Sequence, residues 1–201
     1  MLKIGITGGI GTGKSIVSRV FALLGIPVYD SDSAAKRLMH EQPELVTQIK
    51  NLFGSEAYTA NGALNRQFLA TTAFHNPEKL QQLNALVHPQ VRLDFETWAR
   101  KHTAPYVLKE AALIFEAGSD KQLDKVISVF SPMELRIERL LKRDPHRSRQ
   151  DLEAIMQKQL PEAEHRKRAG FYIENNDKQL IIPQVLKIHR ELLELGSDKN
   201  Q

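Results

Sequence analysis

The 201-residue chain is 41% apolar and 26% charged with a net charge of +4, a balance typical of a folded domain and not of a disordered chain. It has no cysteine, which excludes disulfides, thiolate metal sites and a cysteine nucleophile. No run reaches the roughly 20 apolar residues of a membrane helix, and residues 1–5 lack the layout of a signal peptide. We expect a cytoplasmic α/β protein with no membrane partner.

The excess positive charge lies in one basic segment, residues 136–168. This segment contains ten Lys and Arg against six Asp and Glu, and the rest of the chain is neutral. Such a segment attracts phosphates, either on nucleic acid or on a small anionic ligand. A solvated helix face of mixed sign is the alternative interpretation.

The chain opens with a predicted strand–helix–strand unit. Leu2–Thr7 is strand-like, and from Ser15 the apolar residues recur at helical spacing until Gly25. A second short strand, Pro27–Asp30, follows. This order predicts parallel pairing of the two strands.

A helical insertion is predicted from Ser33 to about Lys101. Its candidate helices are Leu45–Phe53, Leu64–Phe74 and Pro77–Val87, the last of them ended by His88-Pro89. Strand patterns return at residues 106–108, 125–130 and 171–173, a helical break is predicted at Asp144-Pro145, and residues 182–195 form a closing helix.

Gly8–Ser15, with the sequence GGIGTGKS, fits the pattern G-x-x-x-x-G-K-[ST] between a predicted strand and a predicted helix. The glycines allow backbone N–H groups to point at phosphate oxygens, and the helix N-terminus adds partial positive charge. Lys14 can reach the β- and γ-phosphates, and the Ser15 hydroxyl can ligate Mg²⁺. This phosphate loop predicts a nucleoside triphosphate site.

A phosphate loop is compatible with a small-molecule kinase, a nucleotide-dependent switch or a nucleic-acid motor. A switch would show a guanine-reading N-K-x-D motif, which is missing here, and a motor usually needs a longer chain. A kinase needs an acceptor pocket and a lid that excludes water. The helical insertion and the basic segment are candidates for these two parts.

Asp30-Ser31-Asp32 follows the second strand, at the edge where ligands bind in open parallel sheets. A carboxylate there can accept a proton from an acceptor hydroxyl or help to position Mg²⁺. Alternatively, Asp32 is the N-cap of a helix that begins at Ser33. Spacing leaves both interpretations open.

From Leu2 to about Asn176, the chain resembles the dephospho-CoA kinases in the order and spacing of six motifs. These are GGIGTGKS at 8–15, PVYDSD at 27–32, LNALVHP at 83–89, FE at 115–116, RLLKRD at 139–144 and QLP at 159–161. The phosphate loop alone is widespread, whereas its combination with the D-x-D and His-Pro elements is specific.

The resemblance implies ATP-dependent phosphorylation of the ribose 3′-hydroxyl of dephospho-CoA, the last step of coenzyme A synthesis. It implies a three-layer α/β core with five parallel strands, made of residues 1–31, 105–135 and 171–201. It further implies a helical acceptor domain, residues 32–104, and a mobile lid, residues 136–170. ATP and Mg²⁺ would be required and nucleic acid would not, while the oligomeric state stays open.

The resemblance also implies roles for individual residues. Lys14, Asp32 and Arg139 are expected to be catalytic, with Asp32 beside the 3′-hydroxyl. Asp32, Arg66 and His88 are expected to bind the acceptor, although His88 could instead be structural, and Ser15 is expected to bind the metal. The expected nucleotide-binding residues are Gly8, Gly11, Thr12, Gly13, Lys14, Ser15, Ile16 and Arg143. Arg139 and Arg143, four residues apart on one helix face, would approach the phosphates.

Five positions depart from the usual family pattern. Ile16 replaces a Thr, Glu110 and Asn65 replace Asp residues, Ile155 replaces an Arg and Gly170 replaces an Asp. Two other functions remain alternatives. One is a nucleoside or nucleoside-monophosphate kinase, and the other is a nucleotide-regulated nucleic-acid-binding protein that uses the basic segment.

Overall fold

A computed structural model describes residues 1–198, apart from the side chains of residues 73–75 and 198. Five strands are described: β1 (Leu2–Thr7), β2 (Val28–Asp30), β3 (Tyr106–Glu110), β4 (Lys125–Phe130) and β5 (Phe171–Glu174). The helices of this part of the chain are α1 (Lys14–Leu23), α2 (Ser31–Glu41), α3 (Pro43–Phe53), α4 (Arg66–His75), α5 (Pro77–Ala99), α6 (Met133–Arg143), α7 (Arg149–Gln157), α8 (Glu162–Arg168) and α9 (Ile181–Asp198). The chain divides into two compact units. The first unit consists of Met1–Asp30 and the described residues from His102 onward, and the second unit is Ser31–Lys101.

The first unit is built on a five-stranded sheet in the order β2-β3-β1-β4-β5. Every neighbouring pair of these strands is parallel, which confirms the predicted fold class. Strand β1 lies in the centre, between β3 and β4. The loop that follows β1 therefore begins at the middle of the carboxyl edge of the sheet, where ligands bind in such folds.

Side chains of β1 alternate between two helical layers. Leu2, Ile4 and Ile6 are buried in one core cluster with residues of α1 and α9. On the opposite face, a Cβ on Gly5 would meet Ile114 and Leu123, and α8 packs on β4. The alternation that the pleat imposes thus produces the three layers.

The second unit is the helical insertion, α2 to α5. Helix α5 contacts the other three helices of the unit, and Arg37 on α2 pairs with Asp94 on α5 at 2.7 Å. No helix in the described part of the chain combines the length and the apolar composition of a membrane span.

The predicted end of a helix at His88-Pro89 is wrong. The helix continues through Pro89 to Ala99. Its buried residues recur every four positions on both sides of the proline, at Val87, Val91, Phe95 and Ala99. An internal proline costs about 3 kcal/mol, whereas burying side chains such as Val and Phe contributes about 1.5–3 kcal/mol each. Burial beyond Pro89 therefore outweighs the lost hydrogen bond.

Candidate active site

The phosphate loop joins β1 to α1 through glycines in conformations that other residues rarely adopt. The φ angles of Gly8, Gly11 and Gly13 are 146°, 79° and 90°. A Cβ on Gly8 would collide with the carbonyl oxygen of Val129, and one on Gly13 would collide with the Asn175 amide. Glycine is required here both for backbone angle and for space.

The Lys14 ammonium lies inside the curl of this loop. Its Nζ donates hydrogen bonds to the carbonyl oxygens of Gly8 at 2.8 Å and Gly9 at 3.3 Å. The Thr12 hydroxyl also donates to the Gly9 carbonyl, at 2.9 Å. Since charged phosphate oxygens are stronger acceptors than carbonyls, the ammonium is placed to exchange these contacts for phosphate.

The side-chain oxygens of Ser15 and Glu110 lie together at the edge of the sheet, where both could serve as metal ligands. The Ser15 hydroxyl donates to Glu110 Oε1 at 2.8 Å. Glu110 ends β3 and is paired in register with Asp30, which ends β2. Mg²⁺ takes few protein oxygens and keeps waters and substrate phosphates as its other ligands, so this pair fits Mg²⁺. Among the described residues, no group of three His, Asp or Glu side chains could hold a metal ion.

Two side chains that the sequence analysis did not assign hold the loop from outside. Arg136 Nε donates to the Ile10 carbonyl at 2.8 Å, and the Ile10 N–H donates to Gln159 Oε1 at 3.0 Å. Arg136 is half-buried, and burial lowers the pKa of its guanidinium. No carboxylate of the described residues pairs with it in a salt bridge. Among the described residues, its positive charge therefore faces the loop without a carboxylate in salt-bridge contact.

Arg139 lies three residues further along α6 and contacts the turn after β5. It donates to the Ser131 hydroxyl at 3.1 Å, to Asn175 Oδ1 at 3.2 Å and to Asp177 at 2.5 Å. Arg143, the predicted partner of Arg139, is exposed in the last turn of α6. Helix α6 therefore presents Arg136 and Arg139 toward the groups around the loop.

Most other cations of the basic segment are exposed and paired with carboxylates. The pairs are Lys142–Glu138, Arg147–Asp144, Arg149–Glu153, Arg166–Glu162, Lys167–Glu164 and Arg168–Asp120. Exposed pairs of this kind contribute little to stability. For these residues the structure agrees with the alternative interpretation of the basic segment, a solvated surface of mixed charge.

A cavity of about 280 Å³ adjoins the loop and is bordered by Gly8, Gly9, Arg136 and His165. His165 is buried against the edge of the Phe115 ring and shares a hydrogen bond of 3.1 Å with the Ser128 hydroxyl. Burial lowers the pKa of His165 below its ordinary value of 6.5. The Glu116 carboxylate opposes this shift, and the cations Arg168, Lys14 and Arg136 add to it.

The predicted acceptor residues occupy three helices of the second unit. Asp32 lies exposed in the first turn of α2, which begins at Ser31, so its interpretation as the N-cap of a helix starting at Ser33 is wrong. Arg66 begins α4, where Asn65 Oδ1 accepts from the Phe68 N–H at 3.2 Å. His88 is exposed in the middle of α5 and does not end it.

Comparisons with known proteins identify the family. The family model described as Dephospho-CoA kinase (CoaE) matches residues 2–180. Dephospho-CoA kinase of Bacteroides fragilis (strain YCH46) is 36% identical, over 93% of this chain and 91% of the relative. The crystal structure of TT1252 from Thermus thermophilus is 36% identical with a TM-score of 0.84, over 94% of this chain and 96% of that one. Dephospho-CoA kinase from Campylobacter jejuni, 24% identical, shares the fold with a TM-score of 0.68, over 96% and 97% of the two chains. This chain belongs to the dephospho-CoA kinase family.

Proposed function

We propose that the protein transfers the γ-phosphoryl group of ATP to the ribose 3′-hydroxyl of dephospho-CoA, giving coenzyme A and ADP. The observation that carries this proposal is the glycine loop with Lys14 at its centre, in a chain that belongs to the dephospho-CoA kinase family. We further propose that the reaction takes place in the cytoplasm, where ATP is available.

The phosphate loop is the proposed donor site. Its N–H groups and the N-terminus of α1 would bind the phosphates of ATP, and Lys14 would neutralise charge on the β- and γ-phosphates. The Ser15 hydroxyl and the Glu110 carboxylate would hold Mg²⁺. When bound, the ion supplies positive charge to the phosphate oxygens. The proposed nucleotide-binding residues are Gly8, Gly11, Thr12, Gly13, Lys14, Ser15, Ile16 and Arg143.

Asp32, Arg66 and His88 are proposed to bind dephospho-CoA. The Asp32 carboxylate would position the 3′-hydroxyl and accept its proton as the oxygen attacks the γ-phosphorus. The new bond joins the 3′-oxygen to that phosphorus, and the bond from phosphorus to the β,γ-bridging oxygen breaks. Because phosphoryl transfer depends mainly on positioning and charge, no covalent enzyme intermediate is expected.

The lid, residues 136–170, is proposed to close over bound ATP. Arg139 would stabilise charge that develops during transfer, and Arg143 would bind nucleotide phosphate. Closure requires that ATP bind the closed state more tightly than the open state, and hydrogen bonds between arginine and phosphate provide that difference. Excluding water in this way would protect ATP from hydrolysis.

An acceptor screen tests the function. ADP release from ATP and Mg²⁺ is measured with dephospho-CoA, adenosine, nucleoside monophosphates, DNA, RNA or no acceptor. We expect strong stimulation by dephospho-CoA, weak stimulation by adenosine-containing nucleosides and nucleotides, and none by nucleic acid. Stimulation by nucleoside monophosphates alone would reassign the protein to another small-molecule kinase.

The nucleic-acid-binding alternative depends on the charge of the basic segment. In the part of the chain that the structure describes, carboxylates pair with at least seven of the ten cations of this segment, which leaves little concentrated positive charge for a polyanion. ADP release stimulated by DNA or RNA, but not by dephospho-CoA, would support that alternative.

A further inference from the structure

The backbone of Ile10 is held on both sides by side chains from distant parts of the chain. Gln159 Oε1 accepts a hydrogen bond from the Ile10 N–H at 3.0 Å, and Arg136 Nε donates to the Ile10 carbonyl at 2.8 Å. The Arg136 guanidinium also donates to Gln159 Oε1 at 3.0 Å. The three residues therefore form a closed set of contacts, which we call the Ile10 clamp.

The clamp fixes the direction of two peptide groups because the C=O and the N–H of a trans peptide point in opposite directions. With its N–H held by Gln159, Ile10 turns the Gly9 carbonyl inward, where it accepts from the Thr12 hydroxyl and from Lys14. With the Ile10 carbonyl held by Arg136, the Gly11 N–H is directed toward the inner side of the loop. An inward N–H is the group that a phosphate oxygen requires.

A second arginine–amide pair, Arg139 and Asn175, holds the loop at Thr12. Asn175 Nδ2 donates to the Thr12 carbonyl at 2.8 Å, and Asn175 Oδ1 accepts from Arg139 at 3.2 Å. Arg136 and Arg139 are three residues apart on α6, so they lie on the same face of the helix. One helix face thus supports two carbonyls of the loop, each with the help of an amide side chain.

The apolar contacts agree with this role of α6. Ile10 packs against a cluster made of Ile137 and Leu140 from α6 and Leu152 and Met156 from α7. The Ile10 side chain and the Ile10 backbone are therefore held by the same two helices and the turn that follows them. Movement of this group of helices would move the loop.

We propose that Arg136 and Gln159 are positioning residues for the two peptide groups that flank Ile10. They keep the Gly9 carbonyl on Lys14 and Thr12 and the Gly11 N–H free to bind phosphate, so that docking of α6 and the Gln159 turn sets the affinity for ATP. This inference rests on the proposed function only for the identity of the nucleotide. Neither residue needs to touch the reacting atoms.

Calorimetric titration with ATP and Mg²⁺, without acceptor, tests the clamp. Arg136→Ala and Gln159→Leu should each raise the Kd for ATP about tenfold, since each removes hydrogen bonds made partly by a charged group. The double variant should bind only slightly more weakly than the worse single variant, because the two residues act as one unit. Arg136→Lys keeps the charge and should fall between wild type and Arg136→Ala.

Exposed residues of the same segment provide matched controls. Gln150→Leu repeats the chemical change of Gln159→Leu at an exposed position, and Arg147→Ala removes an exposed arginine paired with Asp144. Both should bind ATP as wild type does. Thermal unfolding of every variant separates loss of the clamp from loss of the fold.

Hydrogen exchange at the Gly11 amide and steady-state kinetics complete the test. Loss of the clamp should speed exchange at Gly11 and raise the KM for ATP while leaving the KM for dephospho-CoA unchanged. Wild-type ATP affinity in both single variants, or independent effects that add in the double variant, would overturn the clamp. A wild-type protein that does not phosphorylate dephospho-CoA would overturn the proposed function instead, because the binding results do not use the acceptor.

Discussion

At the scale of single residues, Lys14 lies where its charge can act on phosphate without contributing to the apolar core. Its ammonium contacts the carbonyl oxygens of Gly8 and Gly9 in the phosphate loop. Lys14→Ala should therefore remove charge from the proposed phosphate site while leaving the core intact. We expect kcat to fall by about 10²–10³-fold, the usual cost of losing one group that stabilises developing charge. The coupled ADP-release assay measures this loss.

A second lysine substitution controls for the first. Lys142 on α6 is exposed and pairs with Glu138 at 2.7 Å, so Lys142→Ala should keep wild-type turnover. Thermal melting should place both variants close to wild type. Near-normal turnover of Lys14→Ala would contradict the assignment of a phosphoryl-transfer site to this loop.

Asp32 carries the proposed contact with the acceptor hydroxyl. Asp32→Asn retains the shape of the side chain but removes its negative charge and most of its basicity. We expect kcat to fall by about 10²–10⁴-fold, the range typical of a general base, with little change in the Kd for ATP. Steady-state kinetics and calorimetry measure the two quantities separately.

Glu41 ends the same helix and is exposed, paired with Arg37, so Glu41→Gln is the matched control. It should keep wild-type kinetics. A loss of ATP binding in Asp32→Asn as large as its loss of turnover would place Asp32 in the donor site and not beside the acceptor.

At the scale of elements, the lid prediction can be tested by hydrogen exchange. Helices α6 and α7 share the apolar cluster that includes Ile10, so nucleotide bound in the loop should stabilise both helices. Amide exchange in residues 136–168 should slow when a non-hydrolysable ATP analogue is added. Helix α9, Ile181–Asp198, serves as an internal reference in the same experiment.

Two variants connect this protection to chemistry. In Lys14→Ala the analogue should no longer slow exchange in the lid, because its phosphates have lost their main cation. Arg139→Ala should lower kcat more than it raises the KM for dephospho-CoA. Equal protection of residues 136–168 with and without the analogue would show that the segment is a rigid surface element.

Local sequence patterns predicted the elements whose formation depends on neighbours in the chain. The sequence pattern predicted the strand, loop and helix around Gly8–Ser15 because the residues that form them are contiguous. The extension of α5 beyond Pro89 was missed because burial of Phe95 and Ala99 depends on tertiary packing. Hydrogen bonds from Arg136 to Ile10 and from Asn175 to Thr12 span 126 and 163 residues. Of the residues that form these contacts, the sequence motifs indicated Gln159, in the Q-x-P motif, and Arg139, which contacts Asn175.

At the scale of the whole molecule, one buried histidine, His165, and one half-buried histidine, His189, link folding to pH. Burial lowers the pKa of both His165 and His189 below 6.5. His165 contacts Ser128 of the sheet, and His189 shares a hydrogen bond of 2.6 Å with the buried Tyr106 hydroxyl. Each imidazole therefore binds a proton more readily in the unfolded chain than in the folded protein.

The sign of the effect follows from this difference in proton binding. Well above pH 6.5 both histidines are mostly neutral in either state, and their contribution to stability is complete. As the pH falls below 6.5, the unfolded chain takes up protons first, so the free energy of unfolding should decrease. Urea unfolding between about pH 7.5 and 5.5, above the ordinary range of carboxyl groups, should show this decrease.

Replacing the imidazoles one at a time identifies the group responsible. His165→Asn should lower stability at every pH because it alters a buried site, but it should also reduce the slope of unfolding free energy against pH below 6.5. His146 is exposed, and His146→Asn should leave both the stability and the slope unchanged. If His165→Asn kept the wild-type slope, protonation of this buried histidine would not be what destabilises the fold in acid.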